Sequence, residues 1–366
     1  MRILVAGGID PTVQFAHVIN TVKMAEGFAK LGHEVYLACL APADGTASSR
    51  DIEASFGICK PIKWIFLERS EGACMAEEHW RFALETLPHL FELKPDLVFA
   101  RDYVLPGLAS KAGIPSMVEC HAHIGNQGRP FLTLVETTRH KHFLKWITIA
   151  DCLKDYYHSL GVPEDKIIVL PDAVDTRIFM RPAQLPSSPY QGKKPNAVYV
   201  GHLYDYKGIP TVLSAAKLLP DVNFHLIGGI PEDIERQKEK ASNLGVLNLV
   251  FHGALPHSSL APYLWHADAL LLPPSKDHPS ARWTSPMKLG EYMASGVPIV
   301  ASDIEALKSW LSGEDAFFFE ADKPDSLAKA LRQVLSDTEA AARCAEKTLA
   351  RVKDFSCEAR ARRILA

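Results

Sequence analysis

The chain has 366 residues, 47% apolar and 23% charged, with a formal net charge of −3. That is room for two domains with a core each, and the charge balance gives no general pull toward nucleic acid or an anionic membrane. Seven cysteines, at 39, 59, 74, 120, 152, 344 and 357, include no C-x-x-C pair; this argues for reduced thiols in a cytoplasmic protein and against a disulfide framework or structural zinc site.

In chain order, Met1-Arg2 leads straight into an apolar run with no signal peptide, and no apolar stretch is long enough to span a membrane. Strands are predicted at 2–6, 34–39, 62–67, 96–100, 116–119, 146–150 and 167–170, and helical periodicity runs over 17–31. Residues 181–196, "RPAQLPSSPYQGKKPN", hold four prolines and read as a linker. Strands resume at 197–201, 224–228, 249–253, 269–273, 298–301 and 316–319. Strands fed by helices at this spacing imply parallel sheets covered on both faces, hence two Rossmann-like domains. Ligands of such sheets bind beyond the carboxyl ends of the strands, here in a cleft between the domains.

"TSPMKLGEYMASGVPIV" (284–300) reads as a short helix started by Ser285-Pro286, with Ser285 as cap and proline at the first helical position. Its first amides, around Met287 and Lys288, suit a phosphate. Glu291 follows about 5–6 Å along the axis, roughly the separation of a nucleotide's diphosphate from its ribose. The plainer alternative is a capped helix with a solvated glutamate. In "YVGHLYDYKGIP" (199–210) a strand ends at Gly201, and Lys207 stands at the next helix start, where its ammonium can reach a phosphate, with His202 nearby as a second donor. This is not a Walker A loop, and a surface lysine is the bland reading.

"VECHAHIGNQGRP" (118–130) puts His121 and His123 at a strand's carboxyl end, where contact with a substrate hydroxyl is favoured over metal because no third ligand has metal-like spacing. The pairs Gly7-Gly8 and Gly228-Gly229 follow strands and let a backbone approach a ligand. Neither belongs to G-x-G-x-x-G, which argues against a nicotinamide oxidoreductase. "RHKHFLKW" (139–146) is basic and aromatic; it reads as a solvated helix face, or as a contact with the inner face of a membrane.

Taken together, these stretches resemble glycosyltransferase family four, the retaining group with the GT-B fold. "GVPEDKIIVLPDAVDTRIF", "YVGHLYDYKG", "FHGALPHSSLAPYLWHADALLLPPS", "SPMKLGEYMASGVPIVAS" and "FSCEARARRIL" carry the resemblance in order and spacing. It implies two Rossmann-like domains facing each other across a cleft: an acceptor-side domain 1–180, a linker 181–196, a donor domain 197–353, and a helix 354–366 crossing back. It also implies roles. Lys207 binds the donor diphosphate and His121 lies near the donor sugar, both as catalytic residues. Gly8, Gly201, His202, Gly228, Gly229, Ser285, Met287, Lys288 and Glu291 contribute to donor binding, Glu291 at the ribose. Two departures stand out: His202 occupies a usual arginine position, and Trp283 replaces the first of two acidic residues, leaving Asp277, His278 and Trp283 for the donor-sugar pocket.

The reading is a retaining, metal-independent transfer of a sugar from a UDP- or GDP-sugar to a saccharide, lipid-linked or small-molecule acceptor, without cofactor or nucleic acid. A non-catalytic nucleotide-sugar binding protein and a GT-B epimerase are the alternatives. The absence of D-x-D supports metal independence, and no pair of carboxylates suggests a glycosidase.

Overall fold

The computed structural model describes residues 1–43, 45–69, 75–121, 123 and 129–366; Cys74 and the stretch 124–128 after His123 lie outside them. The chain divides into two compact units, Met1–Ala173 with Cys357–Ala366, and Val174–Ser356. The division falls ahead of the proline-rich stretch 181–196. Val174, Ile178 and Phe179 already pack in the second unit's core, so burial and not proline punctuation sets the boundary.

The first unit holds β1 (Arg2–Ala6), β2 (Glu34–Leu40), β3 (Lys63–Leu67), β4 (Leu97–Ala100), β5 (Ser116–Glu119), β6 (Phe143–Thr148) and β7 (Ile167–Val169). They form one parallel sheet in the order β3-β2-β1-β4-β5-β6-β7. Every expected strand is present. β6 starts three residues ahead of its expected position because Phe143 and Trp146 are both buried, and pairing with β5 begins at Phe143. Residues 139–146 are therefore no helix face: the aromatics enter the core, and only Arg139, Lys141 and Leu144 remain exposed. The helix Ala16–Lys30 is buried from Val18 to Ala29. It packs so closely on the helix Cys357–Leu365 that a side chain at Gly27 would come within 2.9 Å of the Cys357 carbonyl oxygen.

The second unit holds β8 (Asn196–Val200), β9 (Asn223–Ile227), β10 (Leu249–Gly253), β11 (Ala269–Leu272), β12 (Ile299–Ser302) and β13 (Phe317–Phe319). Their order is β10-β9-β8-β11-β12-β13, all parallel. In both units the order reverses once, between β1 and β4 and between β8 and β11. Such reversals open a crevice at the strands' carboxyl ends, where open α/β sheets bind ligands. No helix among the described residues is long and apolar enough to cross a membrane, and no disulfide joins the described cysteines.

A histidine pair, with His225 buried and His252 half-buried, lies within the second sheet. His225 on β9 sits 2.9 Å from His252 on β10 through Nδ1, and 3.0 Å from the Asn196 side-chain oxygen through Nε2. That oxygen can only accept, so His225 Nε2 donates to it and Nδ1 accepts from His252. Burial, reinforced by His252, lowers the His225 pKa from 6.5 to about 4. The unfolded chain therefore takes up this proton first. The stability contributed by the neutral ring is intact above pH 6.5, declines as pH falls, and is gone near pH 4. Melting temperature should fall across that window, and His225→Gln should flatten the slope there. Calorimetric profiles with the same slope for both proteins would refute the assignment.

Candidate functional site

The crevice of the second unit is built by two connections. After β8 the chain passes Gly201 and His202, makes a short turn Asp205–Lys207, and enters the helix Ile209–Leu218 through Gly208. Gly208 has φ of 82°, and a Cβ there would lie 1.6 Å from the Pro273 carbonyl oxygen. No other residue fits, and this corner fixes where Lys207 stands. Gly228 is constrained in a different way, since a Cβ would come 2.5 Å from the Gly201 carbonyl oxygen. Gly229 packs beside Leu203.

The second connection carries the helix Met287–Ser295. Tyr292, fully buried, holds it to the sheet: its hydroxyl accepts from the Val200 amide at 3.0 Å and donates to the Leu271 carbonyl at 3.3 Å. Mid-helix Gly290 is explained by packing, because a Cβ would meet Val174 at 2.9 Å. Lys288, one turn before Tyr292, lies on the same helix face. Ser285 does not cap this helix. Pro286 is the N-cap residue, with extended backbone and no side-chain cap bond, so Ser285 stands one residue further out. The first helical amides, at Met287 and Lys288, have no partner within the helix.

These pieces bring two lysines together. The Lys288 ammonium lies 4.0 Å from the centroid of the Tyr199 ring, and 2.7 Å from where a Gly201 Cβ would be. Lys207 lies 5.1 Å from the Tyr206 ring centroid. Among the described residues neither ammonium is within ion-pair range of a carboxylate. Burial lowers the pKa of both. For Lys288, which keeps partial surface access although protein atoms crowd its ammonium, the shift is well below 10.5, with Lys207 adding to it and Glu291 opposing. Burial, with Lys288 and Lys207, also lowers the His202 pKa below 6.5. His202 is thus neutral at pH 7 and stacks on Tyr204 at 4.9 Å. The second cation of the site is Lys288, whose side chain sequence reasoning passed over in favour of its amide.

Glu291 is 5% exposed, and His257 Nε2 lies 2.9 Å from its Oε1. It is therefore a buried, fixed carboxylate, not a solvated one. Its partner His257 lies 34 positions earlier and left no local signal. Two of the three residues expected in the sugar pocket share one depression. Asp277 and His278 line a shallow depression of about 340 Å³ with Asp205, Tyr206 and Asp322. His278 stacks on Tyr206 at 4.1 Å and caps a short turn through Ser280. Trp283 does not line that depression.

In the first unit, Gly8, two residues past the end of β1, is exposed, with no atom closer than 3.9 Å to a Cβ built there, so packing does not require glycine. His121 follows β5. Its Nε2 lies 2.5 Å from Glu119 Oε1 and its Nδ1 lies 3.6 Å from Asp172 Oδ1. The fold thus supplies the third potential ligand that sequence spacing lacked, since the ligand atoms of Glu119, His121 and Asp172 lie within 4.8 Å of one another. The surrounding charge opposes a metal ion there, since Arg360 sits 2.9 Å from Glu119 and Arg101 3.6 Å. His123 does not converge on the group; it is exposed and stacks on Tyr156 at 4.0 Å.

Comparisons with known proteins place the chain. Residues 20–178 match the family model Glycosyltransferase Family 4, and 180–351 match Glycosyl transferases group 1. The phosphatidyl-myo-inositol mannosyltransferase of Mycobacterium tuberculosis is 29% identical over 200 residues, 52% of this chain and 49% of that protein. The putative teichuronic acid biosynthesis glycosyltransferase TuaH of Bacillus subtilis is 22% identical over 214 residues, 56% of this chain and 53% of that protein. The chain spans about half the length of the curated relatives it matches. Among solved structures, sucrose-phosphate synthase from Thermosynechococcus elongatus aligns with TM-score 0.75 at 18% identity, covering 100% of this chain and 97% of that one. Anabaena HepE in complex with UDP and glucose aligns with TM-score 0.76 at 14% identity, covering 100% and 99%. These likenesses show the fold.

Burial and Lys207 disfavour the Lys288 ammonium in the folded state, so replacing it by an apolar chain removes a penalty. Lys288→Met should raise the melting temperature of the ligand-free protein at neutral pH by about 1–4 °C, and shrink the upward shift produced by inorganic pyrophosphate. A lowered melting temperature with an unchanged pyrophosphate shift would show that the lysine is structural.

Proposed function

The chain belongs to glycosyltransferase family four, and on that premise we propose that it transfers a sugar from a nucleoside diphosphate donor to an acceptor with retention at the anomeric carbon. The observation that carries this reading is the pair Lys207 and Lys288, two ammonium groups with no carboxylate in ion-pair range among the described residues, Lys207 on the connection after β8 and Lys288 beside Gly201 at the end of that strand. An anion with two phosphates satisfies both, and the open amides of Met287 and Lys288 add to it. The fixed carboxylate of Glu291, one turn along the same helix, suits ribose hydroxyls, which donate hydrogen bonds to it.

The chemical step breaks the bond between the anomeric carbon and the diphosphate oxygen. Negative charge grows on that oxygen as the bond lengthens. Fixed positive charge beside it stabilises the transition state more than the ground state. The acceptor oxygen then bonds the anomeric carbon on the face the diphosphate leaves, and the acceptor's proton passes to the departing phosphate. Lysines and amides supply the charge that a divalent metal provides elsewhere, which supports metal independence. The assignment of His121 to turnover rests on the family resemblance. The match to mannosyl- and teichuronic-acid transferases supports a glycan or glycolipid acceptor.

Lys207→Ala and Glu291→Ala should each weaken nucleoside diphosphate-sugar binding about tenfold to a hundredfold, as expected for losing a hydrogen bond to a charged group. Calorimetry returning wild-type affinity for both variants would remove the donor site from the second unit. Transfer should survive EDTA, and NMR of the product should show the donor's anomeric configuration. Loss of transfer with EDTA and recovery with magnesium would contradict the metal-independent step.

A further inference from the structure

Glu119 and the Pro171-Asp172 segment, on either side of His121, share an anchor outside both of them. Glu119, the last residue of β5, is 2% exposed. Its Oε2 accepts from Arg360 Nη1 at 2.9 Å. Its Oε1 touches His121 Nε2 at 2.5 Å, close but off the line of a hydrogen bond, and lies 3.6 Å from Arg101. On the other side of the imidazole, Asp172 Oδ1 lies 3.6 Å from Nδ1 and accepts from the Asn20 side-chain amide at 2.5 Å. Arg360 reaches this wall too, because its Nε donates to the carbonyl of Pro171, the residue before Asp172, at 2.8 Å.

Arg360 comes from the helix Cys357–Leu365 and is itself 3% exposed. Burying a guanidinium is costly unless its donors are met; Nε and Nη1 are met, on the two sides of one histidine, by the Pro171 carbonyl and the Glu119 carboxylate, while Nη2 has no hydrogen-bond partner among the described residues. Burial alone would raise the Glu119 pKa; Arg360, then His121 and Arg101, outweigh it and hold the carboxyl well below its usual range. The helix is seated for this task by the close Gly27–Cys357 approach and by Lys30–Glu358 at 3.1 Å.

We propose that Arg360 is a positioning residue for His121: it braces the Glu119 carboxylate and the Pro171-Asp172 backbone on either side of the imidazole, which makes the C-terminal helix part of the turnover machinery. The proposal rests on the reading of His121 as a residue of turnover. Without the guanidinium, Glu119 keeps only His121 and the more distant Arg101, and the ring loses its fixed setting. Donor binding belongs to the second unit's residues and does not depend on this brace.

The test uses the full chain with Arg360→Gln, Arg360→Lys, Glu119→Gln and His121→Ala, and the Arg360→Gln/His121→Ala double variant. Activity is read as release of UDP from UDP-glucose or GDP from GDP-mannose, and the ring is read directly by NMR of the imidazole nitrogens, with His121→Ala assigning the signal. Arg360→Gln should lower kcat about tenfold or more, leave the donor KM within about twofold, and move the His121 ring resonances. It should add no further loss in the His121→Ala background. Arg360→Lys, which meets one partner but not both, should recover part of the rate, and Glu119→Gln should reproduce the loss with a smaller change of packing should Arg360→Gln not fold. Unmoved His121 resonances in the folded variants, or an equal rate loss with and without His121, would overturn the proposal. A wild-type protein that releases no nucleotide from either sugar nucleotide would instead overturn the transferase reading, and the NMR arm would still decide whether Arg360 sets the ring.

Discussion

Two ammonium groups with no carboxylate in ion-pair range among the described residues, each disfavouring the charge of its neighbours, are the constraint around which the second unit is organised. Left in water, Lys207 and Lys288 would separate. The fold prevents this at several points: Gly208 turns under the Pro273 carbonyl, Tyr292 pins the helix Met287–Ser295 to β8 and β11, and Gly290 seats that helix on Val174. Each device is a local packing event, yet together they fix where two positive charges stand. Their desolvation and mutual repulsion oppose folding, and a bound anion, as proposed above, would relieve both. Such strain at a binding site is a usual sign of preorganisation, because little rearrangement is left to make when the ligand arrives.

The first unit handles charge in the opposite way. Around His121 the described carboxylates are held by partners: Glu119 by the charges of Arg360 and Arg101, and Asp172 by a hydrogen bond from the Asn20 side-chain amide. Buried pairs of this kind contribute little net stability compared with an apolar core, but they specify geometry strongly, since removing one member strands the other. One unit thus leaves cations without a carboxylate partner among the described residues, while the other pairs its buried charges.

The strands were legible because a parallel strand covered on both faces is a short apolar run bounded by turn residues, and that signal is local. The Lys207-Gly208 corner was legible for a similar reason, since glycine after lysine at a helix start has few explanations. The same local logic misplaced the cap at Ser285: serine before proline suggests a capping residue, but the extended backbone at Pro286 makes that residue the boundary. What stayed hidden depends on partners distant in sequence. Nothing near Glu291 announces His257, and nothing near Glu119 announces Arg360, 241 positions away. The side chain of Lys288 was missed because its value comes from Tyr199 and Gly201, which the fold alone brings beside it. The unit boundary near 173 was hidden because prolines mark where a chain turns, whereas burial decides which core it joins.

The central claim, that the lysine pair and the start of the helix Met287–Ser295 form a diphosphate site, is tested most directly by hydrogen–deuterium exchange with matched ligands. UDP or GDP, added to the full chain, should slow exchange at the amides of 201–208 and at Met287 and Lys288, while uridine or guanosine at equal saturation should leave the Met287 and Lys288 amides unchanged. Equal protection by nucleoside and nucleoside diphosphate, or protection confined to other segments, would contradict it.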